Sequence, residues 1–327
     1  MRRMLAVLTI AALATCLGCG GPQPSTVTDA EDTADDQAVR VAFVTNNPSD
    51  FWKIAEAGSR KAEKEFGVEV LFRIPASGTT EEQQRIVQDL VTTGVSGIAI
   101  SPKDPSNQTE MLNEAAAACN LITQDSDAPE SNRLCYIGTN NYDAGRQAGQ
   151  LVKECLPGGG KIMVCVGSMD AQNAQDRYKG VKDELGDGAW EIVDVRTDET
   201  DRVKAVSNVQ DALVTYDDLA CFVGLWSYNG PCILSGVSSS GKLGQIKIVC
   251  FDEEDETLQG VKDGQIYGTV VQQPFEFGYQ SVKVLTELAK GDQSSIPESK
   301  QVFVPTLAIK QGDVDEFWSN LKEQVGK

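Results

Sequence analysis

The stretch VRVAFVTNNPSDFWKIAEAGSRKAEKEF, residues 39–66, holds the pattern that decides the fold. Its first seven residues are rich in valine and predict a β-strand, and the turn formers NNPSD follow at 46–50. The segment from Phe51 to Phe66 has apolar residues at helical spacing and is followed by Gly67, which suits a helix end. A strand, a turn and a helix in this order predict the start of a βαβ unit.

The same alternation continues through the rest of the chain. Apolar strand-like runs such as KIMVCV at 161–166 and LACFVG at 219–224 are separated by helical runs of roughly 10–16 residues. This alternation predicts parallel sheets that are covered by helices on both faces. About ten such units are too many for one ordinary sheet. The sequence therefore predicts an α/β protein with two doubly wound lobes.

The composition excludes several classes of function. The chain of 327 residues carries 48 acidic and 29 basic residues, a net charge of −19, so we expect no nucleic-acid partner. The chain has no histidine. This excludes Ser-His-Asp and Cys-His nucleophile pairs, zinc sites that need histidine, and histidine-ligated haem.

Two segments resemble cofactor motifs only superficially. The glycine-rich run PGGGK at 157–161 precedes a predicted strand, whereas a phosphate-binding loop follows a strand and opens a helix. The acidic run DEEDE at 252–256 lacks the alternating spacing and the glycine of a calcium loop. We expect no cofactor, no metal and no nucleotide.

The N-terminus has the pattern of an export signal. Arg2 and Arg3 precede an apolar run of about 14 residues, which is too short to span a bilayer but suits a signal peptide over residues 1–18. The segment resembles a bacterial lipobox, which predicts lipidation of Cys19 and a membrane anchor, with Cys16 as the alternative acceptor. A simple secretory signal is the second alternative. Residues 19–38 contain prolines and five acids without a base, which predicts a flexible tether.

Polar and aromatic residues follow the predicted strands at the ends where α/β sheets bind ligands. The candidate ligand-binding residues are Thr45, Asn47, Phe51, Trp52, Ser101, Asp125, Thr139, Asn173, Gln175, Arg177, Trp226, Ser227, Asp252 and Gln272.

These residue types suit a neutral polyhydroxylated ligand. Carboxylate and amide oxygens accept hydrogen bonds from hydroxyl groups, and amide or guanidinium N–H groups donate to them. Phe51, Trp52 and Trp226 offer flat rings for the apolar faces of a sugar. The alternative for Phe51 and Trp52 is a purely structural role in the core at the start of a helix. The set predicts a sugar or polyol as the ligand.

Three segments resemble periplasmic sugar-binding proteins of the ribose and galactose type, the substrate-binding subunits of bacterial ABC importers. They are VAFVTNNPSDFWKIAEAG at 41–58, LITQDSDAPESNRLCYIGTNNYDAGRQAGQLV at 121–152 and IKIVCFDEEDETLQGVKDGQIYGTVVQQPFEFG at 246–278. The resemblance implies two Rossmann-like lobes joined by three crossovers, the type I periplasmic binding protein fold. It implies one lobe of residues 39–139 plus 274–304 and another of residues 140–273 plus 305–327.

The resemblance also implies roles for individual residues. Asn47, Phe51 and Trp52 match the family's sugar-stacking segment, and Asp125, Asp252 and Gln272 match polar residues that follow strands. The run AQNAQDR at 171–177 resembles the arginine motif of the second lobe.

Departures from the family pattern bear on the identity of the sugar. Ser126 stands where ribose binders have an arginine, and Gln175 stands where the family often has the first of two arginines. Trp226 and Ser227 fall where an asparagine is usual. We expect a sugar or polyol other than ribose.

The resemblance predicts an extracytoplasmic, monomeric binding protein, not an enzyme, that delivers a sugar to the membrane permease of an ABC importer. A sugar sensor subunit that presents its closed lobes to a receptor is one alternative. A glycosidase that uses Asp125 and Asp252 is another, and it would need one carboxyl group with a raised pKa. The lactose-repressor family shares the fold but needs an N-terminal helix-turn-helix, which the sequence lacks.

Overall fold

The computed structural model describes residues 39–49, 51–324 and 326. The predicted signal peptide, the tether, both candidate lipidation residues and Asp50 lie outside the described residues.

Strands and helices alternate along the described chain, as the sequence predicts. The elements of the first part are β1 (Arg40–Val44), α1 (Phe51–Phe66), β2 (Glu69–Arg73), α2 (Thr80–Thr92), β3 (Gly97–Ile100), α3 (Pro105–Ala118), β4 (Asn120–Gln124) and β5 (Tyr136–Gly138). Those of the middle part are α4 (Asn141–Cys155), β6 (Gly160–Val166), α5 (Gln172–Leu185), β7 (Trp190–Thr197), α6 (Arg202–Thr215), β8 (Leu219–Gly224), α7 (Asn229–Ser239), β9 (Lys247–Phe251), α8 (Asp255–Lys262) and β10 (Gly268–Val271). The last elements are α9 (Pro274–Ala289), β11 (Gln301–Phe303), β12 (Leu307–Lys310) and α10 (Val314–Gln324).

The described strands form two six-stranded sheets with the same arrangement. The first sheet has the order β11-β5-β4-β3-β1-β2, and the second has the order β12-β10-β9-β8-β6-β7. Strand β4 therefore occupies in the first sheet the place that β9 occupies in the second. This confirms the predicted α/β class with two doubly wound sheets.

One strand departs from the predicted parallel pairing. The final strand β12 runs antiparallel to β10, although every other pair in both sheets is parallel. Only residues 304–306 separate β11 in the first sheet from β12 in the second. So short a connection cannot include a crossover helix, and the chain enters the second sheet in the opposite direction.

The described chain passes between the two sheets three times. It does so after β5, after β10 and after β11, because α4 contacts β9 and β10 whereas α9 contacts β1, β3 and β4. Each sheet with its helices is called a half of the molecule below. The first half contains β1 to β5, α1 to α3, α9 and β11, and the second half contains the remaining elements.

Helices α1 and α9 approach each other closely on one face of the first sheet. A Cβ atom on Gly58 would lie 1.9 Å from the carbonyl oxygen of Phe275, and one on Gly278 would lie 1.9 Å from that of Ala55. Glycine is therefore required at both positions. Helix α1 begins with Phe51 and Trp52, and both side chains pack in the same core cluster as Phe277 of α9.

Candidate ligand-binding site

A cavity is lined by residues that follow the strands of both sheets. It has about 350 Å³ of space not occupied by protein atoms, part of it open to solvent. The first half contributes Asn46, Asn47, Ser49, Phe51, Trp52 and Asp125. The second half contributes Asn173, Arg177, Trp226, Ser227, Tyr228, Asp252 and Gln272.

Four of the candidate residues lie outside the wall of the cavity. Ser101 and Thr139 are buried behind it and bind lining residues, Ser101 to Asp125 at 2.8 Å and Thr139 to Gln272 at 2.9 Å. The Thr45 hydroxyl donates to the carbonyl oxygen of Asn47 at 3.3 Å. Gln175 is exposed, and its amide donates to the carbonyl oxygen of Met169. The structure therefore does not bring Gln175 to the cavity.

Three lining residues are absent from the candidate set: Asn46, Ser49 and Tyr228. Asn46 follows β1 by two residues and donates from its amide to Ser101 and Asp125. Tyr228 follows β8 by four residues and donates its hydroxyl to Asp198. The strand-end position that marks the other candidates also marks Asn46 and Tyr228, so the same rule finds them when it is applied to every polar residue in the turn.

Asp125 directly follows β4 in a strained backbone conformation. Its φ is 59°, in the left-handed region that non-glycine residues rarely adopt and that often marks functional sites. The Ser101 hydroxyl donates to its carboxylate at 2.8 Å, and the Tyr136 hydroxyl donates to its backbone carbonyl at 2.8 Å. Burial raises the pKa of Asp125 to about 6, against the opposing effects of Arg177 and Ser101.

Asp252 occupies the matching position after β9. Its φ is 67°, and its carboxylate accepts a hydrogen bond from the Gln272 amide at 2.9 Å. The Thr269 hydroxyl donates to its backbone carbonyl at 2.7 Å. Burial raises the pKa of Asp252 above its ordinary value, and the charge of Arg177 opposes this shift.

Arg177 places a buried positive charge at the cavity. It is 1% exposed, donates to Asn141 at 2.9 Å and to the carbonyl oxygen of Leu225 at 2.7 Å, and lies over the Phe251 ring at 4.5 Å. Its guanidinium favours the ionised forms of both Asp125 and Asp252. The cavity thus combines two carboxyl groups with one guanidinium.

Several buried polar atoms on lining residues have no hydrogen-bond partner among the described residues. They are Trp52 Nε1, Asn173 Oδ1, Arg177 Nη2 and Trp226 Nε1. Buried polar groups are rarely left unpaired in folded proteins. Three donors and one acceptor, all on lining residues, therefore indicate a polar ligand that both accepts and donates hydrogen bonds.

The aromatic pair at the start of α1 belongs to the core and also lines the cavity. The Phe51 and Trp52 rings meet edge to face at 4.9 Å, and Trp52 contacts Phe43 at 6.1 Å. Both residues are buried within the apolar core of the first half. The packing role and the cavity-lining role considered from the sequence therefore coexist.

Neither a metal centre nor a membrane span is found in the described part of the chain. No group of three or more cysteine, aspartate or glutamate side chains there could hold a metal ion. Among the same residues, no helix combines the length and the apolar character that crossing a bilayer needs.

Two doubly wound sheets with a polar cavity at their strand ends define a class of ligand-binding proteins, and comparison with known sequences agrees. The profile of the periplasmic binding protein domain matches residues 41–293, so the chain belongs to the periplasmic binding protein family. Its fold is that of type I periplasmic binding proteins.

Relatives and solved structures of similar proteins include sugar binders. The ribose import binding protein RbsB of Salmonella typhimurium is 23% identical over 290 residues, which cover 88% of this chain and 95% of that protein. GanP, a glucose-galactose binding protein from Geobacillus stearothermophilus, is 27% identical with a TM-score of 0.80, covering 85% of this chain and 99% of that one. A solute-binding protein from Burkholderia graminis, solved with D-arabinose, is 26% identical with a TM-score of 0.80. The match covers 84% of this chain and 96% of that one.

Proposed function

We propose that the protein binds a sugar or polyol between its two halves and delivers it to the membrane permease of an ABC importer. The observation that carries this proposal is the set of unpartnered buried donors and acceptors that line one cavity together with two carboxyl groups. The names of the relatives, which include ribose, glucose-galactose and D-arabinose binders, support a carbohydrate over other polar ligands.

Each lining residue has a role in this proposal. Asp125 and Asp252 accept hydrogen bonds from ligand hydroxyls. Hydrogen bonds to an ionised carboxylate are about twice as strong as those between neutral groups. Arg177 Nη2 donates to a ligand oxygen, and the faces of Trp52 and Trp226 pack against the ligand's apolar C–H groups.

The proposed ligand differs from ribose. Ser126, which stands where ribose binders have an arginine, does not line the cavity, and its buried hydroxyl has no partner among the described residues. The positive charge that the family pattern places beside the first aspartate is therefore missing here. We infer a different arrangement of hydroxyl groups on the ligand.

The two halves are proposed to move as rigid lobes, with residues 39–139 plus 274–304 in one and residues 140–273 plus 305–327 in the other. The three connections between them lie side by side at two points. The Thr139 hydroxyl binds Gln272, and the Gln273 amide donates to the carbonyl oxygen of Pro305 at 2.9 Å. A hinge built from adjacent connections permits closure of the lobes around the ligand.

A thermal-shift screen of the purified protein against pentoses, hexoses and polyols tests the sugar-binding proposal. We expect one stereochemical class of sugar to raise Tm, because a ligand that binds only the folded state stabilises it by mass action. Calorimetric titration should then give one site per chain. If no carbohydrate raises Tm while amino acids or nucleosides do, the proposal is wrong.

Export and lipid anchoring at Cys19 form a separate part of the proposal. The protein is proposed to lie outside the cytoplasm as a monomer, held to the membrane by lipid on a residue outside the described part of the chain. Cys19→Ala should move the protein from the membrane fraction to the soluble fraction. Retention of that variant together with release of Cys16→Ala would assign the anchor to Cys16.

Delivery to a permease is separable from sensing and from catalysis. Deletion of the gene should abolish uptake of the radiolabelled sugar, whereas a sensor subunit would change gene expression without this direct loss. Incubation of the protein with aryl glycosides should release no phenol, and release that depends on Asp125 would favour the glycosidase alternative.

A further inference from the structure

A second cavity adjoins the one described above. The two cavities share Phe51 and Ser227 in their walls, so these two side chains border both of them. The second cavity has about 1090 Å³ of space, part of it open to solvent, against about 350 Å³ for the first. The second cavity is called the outer cavity below, and the first is called the inner cavity.

The outer cavity also has walls from both halves of the molecule. The apolar part of the wall is formed by Ile54 and Ala57 of α1 and by Trp318 and Leu321 of α10. The charged residues of the wall are Lys53, Glu253, Glu254, Asp255, Glu256 and Lys322. Trp318 is held in place, because its indole N–H donates to Asp255 at 3.1 Å and Lys322 lies over its ring at 4.3 Å. One part of the wall is therefore apolar and aromatic, and another part carries four carboxyl groups and two ammonium groups.

Glu253 is the polar group that marks the outer cavity as a binding site. It is 5% exposed, and its Oε2 atom has no hydrogen-bond partner in the described part of the chain. A buried acceptor without a donor is costly, and proteins usually satisfy it with water or a ligand. Glu253 directly follows Asp252, so this acceptor stands one residue from the inner cavity.

The wall of the outer cavity suits an organic group better than a metal ion. No cluster of cysteine, aspartate or glutamate side chains in residues 39–49, 51–324 or 326 could hold a metal. The wall pairs the Trp318 ring and the Ile54 side chain with the Glu253 carboxyl group. A sugar ring carries the matching features, an apolar C–H face and hydroxyl donors.

We propose that the outer cavity is a second sugar subsite and that the ligand is a disaccharide whose two units occupy the inner and the outer cavity. This rests on the proposed sugar-binding function of the inner cavity. The inner unit makes the contacts with Asp125, Asp252 and Arg177. The glycosidic link passes Phe51 and Ser227, and the outer unit packs against Trp318 and donates a hydroxyl hydrogen bond to Glu253.

Calorimetric titration of matched sugar pairs tests this proposal. The probes are galactose with lactose and melibiose, glucose with cellobiose and maltose, and xylose with xylobiose. We expect at least one disaccharide to bind about tenfold or more tightly than either of its units, because a second ring adds a stacking contact and a hydrogen bond.

Two variants localise the gain to the outer cavity. Trp318→Ala removes the aromatic wall, and Ala57→Trp fills the cavity from α1. Each should abolish the preference for the disaccharide while the Kd of the monosaccharide stays within about twofold. Ala117→Trp, the same exchange on the exposed face of α3, is the matched control and should leave both affinities unchanged.

The outcomes separate this proposal from the one on which it rests. If monosaccharides bind and every disaccharide binds more weakly, the outer subsite is wrong and the sugar-binding function stands. A preference for the disaccharide that survives Ala57→Trp also overturns the subsite. If no sugar of either kind binds, both proposals are wrong.

Discussion

The two halves of the molecule place an aspartate at the same point and surround it differently. Asp125 follows β4 and Asp252 follows β9, strands with matching places in their sheets, and both residues have a left-handed backbone. In each half a hydroxyl from the next strand, Tyr136 or Thr269, donates to the aspartate's backbone carbonyl. The repeated backbone arrangement thus presents a carboxylate from each half.

The side-chain partners of the two carboxylates differ. Asp125 is bound by Ser101 and Asn46, which belong to its own half. Asp252 is bound by Gln272, whose own oxygen accepts the Thr139 hydroxyl at the first connection between the halves. The carboxylate of Asp252 is therefore linked through Gln272 to the other half, whereas the side-chain partners of the Asp125 carboxylate lie in its own half.

The second half also has more unpartnered polar atoms in the cavity. Asn173, Arg177 and Trp226 each have one such atom in the described structure, against Trp52 in the first half. A preformed surface binds with little reorganisation, whereas unpaired groups gain most when a ligand satisfies them. This contrast predicts that the largest losses of affinity come from the second half.

The largest effect is expected for Arg177→Met. Removal of the guanidinium leaves two buried carboxyl groups without their nearby positive charge and takes a charged donor from the ligand. Truncation of one partner of a buried charged pair in a binding site costs roughly 2–5 kcal/mol of binding free energy. We expect the Kd for the best screened sugar to rise about a hundredfold or more, measured by calorimetry. Arg196→Met, which removes an arginine paired with Asp194 away from the cavity, is the control. An affinity within threefold of the wild type would show that Arg177 does not face the ligand.

The next effect is expected for Asp125→Ala and Asp252→Ala. Each change leaves ligand hydroxyl donors buried without an acceptor, at roughly 1–3 kcal/mol, so binding should weaken about tenfold or more. Removal of a buried carboxyl group with a raised pKa should not lower Tm strongly at pH 7, because burial of its ionised form opposes folding. Unchanged dissociation constants with lowered Tm would mean that both residues serve structure alone.

A change of pH should act on the site through Asp125. Because its pKa is raised from 3.8 to about 6, only about one site in ten is ionised at pH 5, and affinity should be about tenfold weaker there than at pH 7.5. The effect of Asp125 on the free energy of unfolding changes with pH in the opposite direction to its effect on affinity. The folded state binds the proton more tightly than the unfolded state, so the contribution of Asp125 to stability is present below about pH 4 and is lost as pH rises through 6.

Calorimetry from pH 5 to 7.5 measures the first trend, and urea unfolding of the free protein over the same range measures the second. Asp125→Asn should flatten the affinity curve and make the stability curve less steep, because the pKa of Asp198 is also raised to about 6 and that group still titrates. An affinity that does not change with pH in the wild type would contradict the assignment of the ionised Asp125 as a ligand acceptor.

The sequence predicts the elements of the fold and most of the cavity, because both depend on local patterns. Strands and helices follow from periodicity, and the strand-end rule brings Asp125, Asp252 and Gln272 to one place. It cannot separate residues in the wall from those behind it. Ser101 follows a strand as Asn46 does, and only the packed structure shows that Ser101 is behind Asp125.

Helical geometry accounts for Gln175, which sequence reasoning placed in the site. Asn173 and Arg177 are four residues apart on α5 and share its buried face, whereas Gln175 lies between them on the opposite face.

The antiparallel direction of β12 could not be predicted from the sequence. It follows from the sheet that the strand joins, which no local pattern records.

The smallest effect is expected for Thr139→Val, and it addresses the difference between the two aspartates directly. The Thr139 hydroxyl donates to Gln272, whose amide in turn binds Asp252. Valine preserves the shape and removes one hydrogen bond, worth roughly 0.5–1.5 kcal/mol, so affinity should fall about threefold to tenfold. If Gln272 transmits the effect, Thr139→Val should have little further effect on a Gln272→Ala background, because residues in one network are not additive. Calorimetry on the two single variants and the double variant measures this coupling. Fully additive losses would mean that Thr139 acts on the ligand independently of Asp252, and the proposed link between the hinge and the second carboxylate would be wrong.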